Sequence, residues 1–359
     1  NLAQEILPKS PLQPLHLAAF RMFGFASVTI QDLLLAAPRL EVQLALAGIQ
    51  AVIWYVLIYR ILPPYISSFI RSMRTRERFL DNCARAYKKM LMLDFRGDRE
   101  LLFEFAVIFQ GIMLQHLVGG LLCLPAVLGC SWVPRSVASA LACHGALCEV
   151  GWEIQDTLVR LKERVCDGES GRKKNPASFM AALLLHHAFS QCLVLPLNMY
   201  YRDNSYYHEA VLLLQAASMA AMVCQSYGFT LDVSKPAEMR QMQVAVSAAF
   251  LVVVWSRLLR YAYIWYVLIV NFLADENVFV LRLAMPPLIM GSLFNILVLA
   301  DFFKKFAKFV LFPRSAGEDT QDWCEGYSGQ KSVDQGIPAA HAAPPMAQAF
   351  EAVSGKKEI

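Results

Sequence analysis

The stretch SFMAALLLHHAFSQCLVLPLNMYY, Ser178 to Tyr201, has the length of one membrane crossing and holds two adjacent histidines. His186 and His187 stand about a third of the way along it. Titratable rings at that depth are costly in lipid, and they mark an interior site by default. The segment therefore predicts a membrane helix with one face turned towards protein or towards a polar chamber.

The composition of the whole chain agrees with a membrane protein. Of its 359 residues, 57% are hydrophobic and 17% are charged, whereas soluble domains carry about 25% charged residues. We predict an all-α, multi-pass membrane protein with about seven transmembrane helices. The predicted spans are Leu44–Ile66, Leu101–Cys130, Ser136–Lys162, Ser178–Tyr201, Tyr206–Leu231, Gln243–Leu273 and Phe279–Lys305.

Two segments flank this transmembrane domain, which we place at residues 44–312. Residues 1–43 carry an apolar stretch interrupted by Arg21, Gln31 and Asp32, a pattern that favours an interfacial amphipathic segment. Residues 313–359 form an Ala/Pro/Gly-rich tail that cannot bury enough surface to fold alone. We therefore expect other subunits of a membrane complex to contact this tail, and we expect no nucleic-acid partner.

The distribution of basic residues sets the expected topology. The connections after spans one, three, five and seven hold 21 Lys and Arg, against three at the connections after spans two, four and six. The basic side should face cytosol or matrix, with the C-terminus on that side and the N-terminus opposite. Arg71 to Lys89 is predicted to be a surface helix, either lying on anionic headgroups or simply setting topology.

Four polar residues are expected to share one layer, on the order of 10 Å inside the basic face. His186 and His187 lie in span four, while Glu153 and Asp156, three residues apart on one helix face, lie in span three. One interpretation is a catalytic site in which an imidazole is the base and Asp156 its partner. The other is a polar contact that locks the two spans together. No metal site is predicted, because adjacent histidines diverge by about 100° on a helix.

Span six carries a second costly group, Arg257 and Arg260, one helical turn apart. These arginines are predicted to bind a lipid phosphate or an acidic side chain, or to line a water-filled pocket, with Asn295 of span seven in the same network. Gln115 and His116 of span two are interpreted as separate core contacts.

The order of four motifs resembles the TLC-domain family, which includes ceramide synthases and translocation-associated membrane proteins. The resemblance covers roughly residues 60–312. The motifs are GWEIQD (Gly151–Asp156), LLLHHAFS (Leu183–Ser190), WSRLLRYAYIWY (Trp255–Tyr266) and SLFNILVLADFFKKFAKFV (Ser292–Val310).

The resemblance implies a helical barrel and, in the ceramide synthases, transfer of an acyl chain from acyl-CoA to a sphingoid amine at the double histidine. His186 and His187 match that motif. The family's acidic signature is absent, since its place holds YYHEAVLLLQAASMA, with His208-Glu209 as a remnant and Gln215 near the expected acid.

Three functions are consistent with these patterns. The first is a non-catalytic, lipid-binding accessory subunit of a larger membrane complex, with Glu153, Arg257, Arg260 and Asn295 around the lipid. The second is an acyltransferase that uses the histidine pair with acyl-CoA as substrate, and neither function requires a cofactor. Transport through the chamber is a third, supported only by the arginines. The resemblance implies the endoplasmic reticulum, with the mitochondrial inner membrane as the alternative.

Overall fold

The computed structural model describes residues 27–91, 93–95 and 98–313. Within these ranges the chain forms ten helices and no strand. The short or surface helices are α1 (Ile30–Leu34), α3 (Arg76–Leu91) and α6 (Gly168–Lys174). The long helices are α2 (Leu40–Ser72), α4 (Arg99–Val127), α5 (Arg135–Cys166), α7 (Ala177–Tyr200), α8 (Ser205–Gly228), α9 (Pro236–Ala274) and α10 (Val278–Leu311).

These long helices confirm the predicted all-α, multi-pass membrane fold. Six of them are long and apolar enough to cross a membrane, and each contains most of one predicted span. The seventh, α5, matches the third predicted span but is more polar than the others. This polarity is tolerated because α2, α4 and α7 all pack against α5 and bury most of its middle turns.

Six helices close a ring. In order of contact they are α5, α4, α8, α9, α10 and α7, and α7 returns to α5. Helix α2 lies outside the ring and packs along α5. Side chains from neighbouring helices that point inwards therefore meet in a common interior.

Two crossings depend on glycine. A Cβ atom on Gly145 of α5 would lie 2.5 Å from the carbonyl oxygen of Gly119 on α4. A Cβ atom on Gly151 would lie 2.7 Å from the carbonyl carbon of Gln50 on α2. Small residues at such crossings let helix backbones approach closely in a membrane, and they draw α5 into the centre of the bundle.

A buried polar contact ties α2, α7 and α8 together near the end of the bundle that carries α1. The Gln43 amide donates to the Ala37 carbonyl at 3.0 Å, and Asn198 donates to Gln43 at 2.9 Å. The Tyr207 hydroxyl donates to Asn198 at 2.8 Å. These mutual bonds satisfy the groups involved, so this cluster is structural.

Helix α3 corresponds to the predicted surface helix. Its apolar face, which includes Phe79 and Tyr87, is buried in the main core with Phe229, and Arg78 pairs with Asp232 at 3.0 Å. The helix is thus held by protein on one side, and contact of its charged side with lipid headgroups stays a prediction. Most of the N-terminal segment (residues 1–26) and of the C-terminal tail (residues 314–359) lies outside the described residues. Those boundaries and the expected partner contact therefore stay predictions.

Candidate functional site

The two adjacent histidines of α7 point in different directions. His187 is buried, its Nδ1 shares a 2.7 Å hydrogen bond with the Thr157 hydroxyl of α5, and its ring packs edge-on against Trp152 at 5.5 Å. The His186 side chain is 54% exposed, and its ring lies 6.0 Å from that of Phe294 on α10. His187 is therefore fixed between helices, while His186 borders open space where α7 meets α10.

Glu153 faces His186 from α5, as the depth estimate predicted. Its side chain is 0% exposed, and its Oε1 lies 3.9 Å from His186 Nε2. Ser190 of α7 is also a neighbour of this carboxylate. Apart from this proximity, neither carboxylate oxygen has a hydrogen-bond partner of good geometry among the described residues. A buried acid without partners is expensive in a low-dielectric interior, so Glu153 is a candidate ligand for a bound group.

A second acid, Glu149, lies one turn earlier on α5 and is not among the site residues predicted from the sequence. Its Oε2 accepts hydrogen bonds from Gln115 at 3.0 Å and from Gln215 at 3.1 Å, and it lies 3.2 Å from His116 Nδ1. The same His116 nitrogen is 2.6 Å from Gln215 Oε1. The interpretation of Gln115 and His116 as separate core contacts is therefore wrong, because both hold Glu149. The spacing of four between Glu149 and Glu153, which puts both on one helix face, was the available signal.

Asp156 does not contact either histidine, although it was predicted to be the partner of the histidine base. Both of its oxygens accept from Arg160 Nε, at 2.9 and 2.8 Å, and Arg160 Nη1 donates to Asn175 at 3.2 Å. Asp156 is thus bound to an arginine one turn further along its own helix. The histidine neighbours on this layer are Glu153 for His186 and Thr157 for His187.

Of the two arginines of α9, Arg257 lies within a π-helical turn, Trp255–Leu259, and Arg260 follows directly after that turn. Arg260 forms a two-pronged pair with Glu209, at 2.6 and 2.7 Å, so its predicted acidic partner exists. Arg257 instead turns towards α8 and α10. It donates to Asn295 Oδ1 at 3.0 Å, confirming the expected contact of these two residues.

The remaining partners of Arg257 are neutral. Nη2 donates to the Ser218 hydroxyl at 2.7 Å and to the Leu214 carbonyl at 3.1 Å. Arg257 Nε and Asn295 Nδ2, both buried, have no acceptor among the described residues. The interior thus holds two groups of unpartnered polar atoms. The acceptors are the Glu153 oxygens on α5, and the donors are Arg257 Nε and Asn295 Nδ2 where α9 meets α10.

The arrangement can act chemically in three ways. His186 with Glu153 can move a proton, the donors on Arg257 and Asn295 can hold an anionic or carbonyl oxygen, and the ligand atoms of Glu149, Glu153 and His186 lie within 4.8 Å of one another. The fold and this interior define the chain as a multi-pass, all-α membrane protein with a polar site inside a ring of helices. Comparison with protein-family models, curated proteins and solved structures gives no match.

Proposed function

We propose that this protein binds a polar lipid inside its helix ring, as a non-catalytic subunit of a larger membrane assembly. The observation that carries the proposal is Arg257, a partly buried cation whose hydrogen-bond partners are all neutral. Its Nε and the neighbouring Asn295 Nδ2 are donors without acceptors among the described residues. A lipid phosphate or carboxylate would supply both the missing oxygen atoms and the missing charge.

The contrast with Arg260 supports this assignment. Arg260, on the same helix, has a carboxylate partner in Glu209 and needs no ligand. Glu149 is close enough to interact electrostatically with Arg257, but it is already bound by three other side chains. A guanidinium in a low-dielectric site is stabilised far more by a directly bonded anion than by a distant one.

The positions that replace the TLC family's acidic signature support a non-catalytic role. Gln215 is bonded to Glu149 and His116. His208 contacts the Arg202 carbonyl, and Glu209 holds Arg260. Gln215 and Glu209 thus join α8 to neighbouring helices, and His208 joins α8 to the loop that precedes it. The membership of the TLC-domain family, the partner complex and the organelle remain part of the proposal, with the endoplasmic reticulum favoured by resemblance and the mitochondrial inner membrane as the alternative.

The experiment is purification of the full-length chain from its native membrane in mild detergent, followed by mass measurement of the particle and of its bound lipids. We expect a particle larger than the chain alone and one enriched anionic lipid. Arg257→Gln should lower the amount of that lipid at least tenfold, whereas the matched change Arg260→Gln should retain it. Equal lipid content in the two variants, or lipids in bulk membrane proportions, would contradict lipid binding at this site.

One observation favours a second function, an acyl-CoA-dependent acyltransferase. His186 is half exposed and has a carboxylate 3.9 Å from its Nε2, which suits a general base oriented by an acid. In this alternative, acyl-CoA is a substrate and His187 supports the site from behind. The purified protein would then form an N-acyl product from acyl-CoA and a sphingoid amine, and His186→Asn would abolish it. Product formation by the intact protein would replace the non-catalytic proposal, and its absence from wild type would exclude this alternative.

A further inference from the structure

We infer that Glu149, Glu153 and His186 form a binding site for one divalent transition-metal ion of the zinc class. Each residue offers one ligand atom, and these atoms lie within 4.8 Å of one another. Zinc takes nitrogen and carboxylate oxygen ligands at about 2.0–2.2 Å, which separates ligand atoms in a tetrahedral site by roughly 3.5 Å. Displacements of about 1 Å in the ligand atoms, reached by side-chain rotation, would therefore close the three residues around an ion.

The sequence builds this site from two helices. Glu149 and Glu153 are four residues apart on α5, so their carboxylates project from one face, one turn from each other. His186 approaches from α7, and α5 and α7 are neighbours in the ring. Because adjacent residues diverge on a helix, His187 points instead to Thr157, and only one histidine of the pair joins the acids.

Charge is the strongest reason for a cation here. Glu149 already faces His116 at 3.2 Å, whereas Glu153 is 0% exposed, has only His186 opposite it at 3.9 Å, and has no hydrogen-bond partner for either oxygen among the described residues. Such an acid is costly inside a protein unless a counter-charge accompanies it. A divalent ion between the two acids would supply that charge and would be coordinated by Glu153 Oε1, the oxygen nearest His186.

The surroundings of Glu149 are those of an oriented ligand. Gln115, Gln215 and His116 all approach the same oxygen, Oε2, which leaves Oε1 for the ion. Ligating carboxylates in metal sites are typically held by hydrogen bonds of this kind. The donor set of one nitrogen and two carboxylates suits zinc better than calcium or magnesium, which prefer oxygen ligands alone.

Three protein ligands would leave a fourth position open, which is typical of zinc sites that bind water or substrate. The half-exposed side of His186 at the α7–α10 boundary is where a small molecule would reach that position. This inference goes beyond lipid binding and stands without it, because it uses none of the donors at Arg257 and Asn295.

The test is metal content of the tag-free, full-length protein, purified without chelator and then exchanged with zinc or cobalt. We expect one ion per chain by mass spectrometry. Cobalt should give visible d–d absorption without a sulfur charge-transfer band, which separates this site from adventitious binding by cysteine. Glu153→Gln and His186→Asn should each weaken binding at least tenfold. Glu104→Gln, an exposed acid on α4, and His144→Asn, a histidine of α5 outside the site, should leave it unchanged.

The inference is overturned if wild type binds no more metal than Glu153→Gln, or if the cobalt spectrum shows sulfur ligands. Size-exclusion profiles of both site variants establish that loss of metal is not loss of fold. Glu153→Gln is nearly isosteric, and it removes a buried charge. Arg257→Gln is expected to keep the metal while losing the lipid, so failure of one proposal is distinguishable from failure of the other.

Discussion

Replacing Arg160 by methionine should destabilise the protein by about 4 kcal/mol. The side chains of Asp156 and Arg160 are 1% and 9% exposed, and Arg160 Nε is 2.8 Å from the nearer carboxylate oxygen. Removing one partner of a buried ion pair costs about 3–5 kcal/mol, because an uncompensated charge stays behind. The guanidinium also lies 5.0 and 5.5 Å from the ring centres of Phe179 and Phe105, contacts worth about 0.5–2 kcal/mol each. Methionine keeps most of the apolar stem, so we expect only part of that second loss.

A double-mutant cycle separates the pair from its surroundings. In Asp156→Asn/Arg160→Met the uncompensated carboxylate is gone, so we expect a coupling energy of about 2–3 kcal/mol. The free energy of unfolding in bicelles, measured by steric trapping, is the suitable assay. Lys173→Met is the matched control, because Lys173 and Glu169 form the same i,i+4 pair with side chains 73% and 83% exposed, and such pairs contribute little. If Asp156→Asn costs the same with and without Arg160, Asp156 serves another partner and the structural assignment fails.

Two further predictions concern other parts of the fold. Gly151→Ala should cost about 1–3 kcal/mol, since the new Cβ would meet the backbone of α2 within 2.8 Å, whereas Gly48→Ala has open space and should be neutral or stabilising; thermal unfolding in detergent compares them. In the loop after α8, the Ser234 hydroxyl donates to Asp232 at 2.5 Å and holds the pKa of that carboxyl below its usual 3.8. Wild type should therefore be more stable than Asp232→Asn above pH 3.8, and this extra stability should be lost as the pH falls through the folded pKa of Asp232. Melting temperatures of both proteins at pH 7 and pH 3 test this, and a difference between the two proteins that does not shrink at pH 3 would refute it.

The membrane fold and the depth of the site were predictable because both follow from simple regularities. Apolar runs of fixed length place the helices, and a rise of about 1.5 Å per residue then gives the depth of each polar residue. The rise per residue places Glu153 and His186 in one layer, and their side chains face each other at 3.9 Å. It did not give rotation about each helix axis, which depends on packing against neighbours.

The contacts that could not be predicted from the sequence depend on how each helix is rotated about its own axis. Asp156 sits at the right depth, but its face of α5 is the one that carries Arg160. The π-helical turn around Arg257 changes the helical phase, so this residue and Arg260 face different neighbours. A pattern based on 3.6 residues per turn cannot anticipate such a turn. Glu149 was missed because its importance depends on side chains from α4 and α8, which only the closed ring brings together.

The partners of the charged residues divide them into two groups with different meaning. Asp156 is neutralised by Arg160 and Glu209 by Arg260, so these charges are balanced within the protein and need no ligand. Glu153 and Arg257 lie at the same ring of helices with no directly bonded opposite charge among the described residues. A membrane interior provides no water to solvate them, so each carries a cost that helix packing alone does not require. The cost is explained if each charge meets a ligand of opposite sign, a cation at Glu153 and an anionic lipid at Arg257.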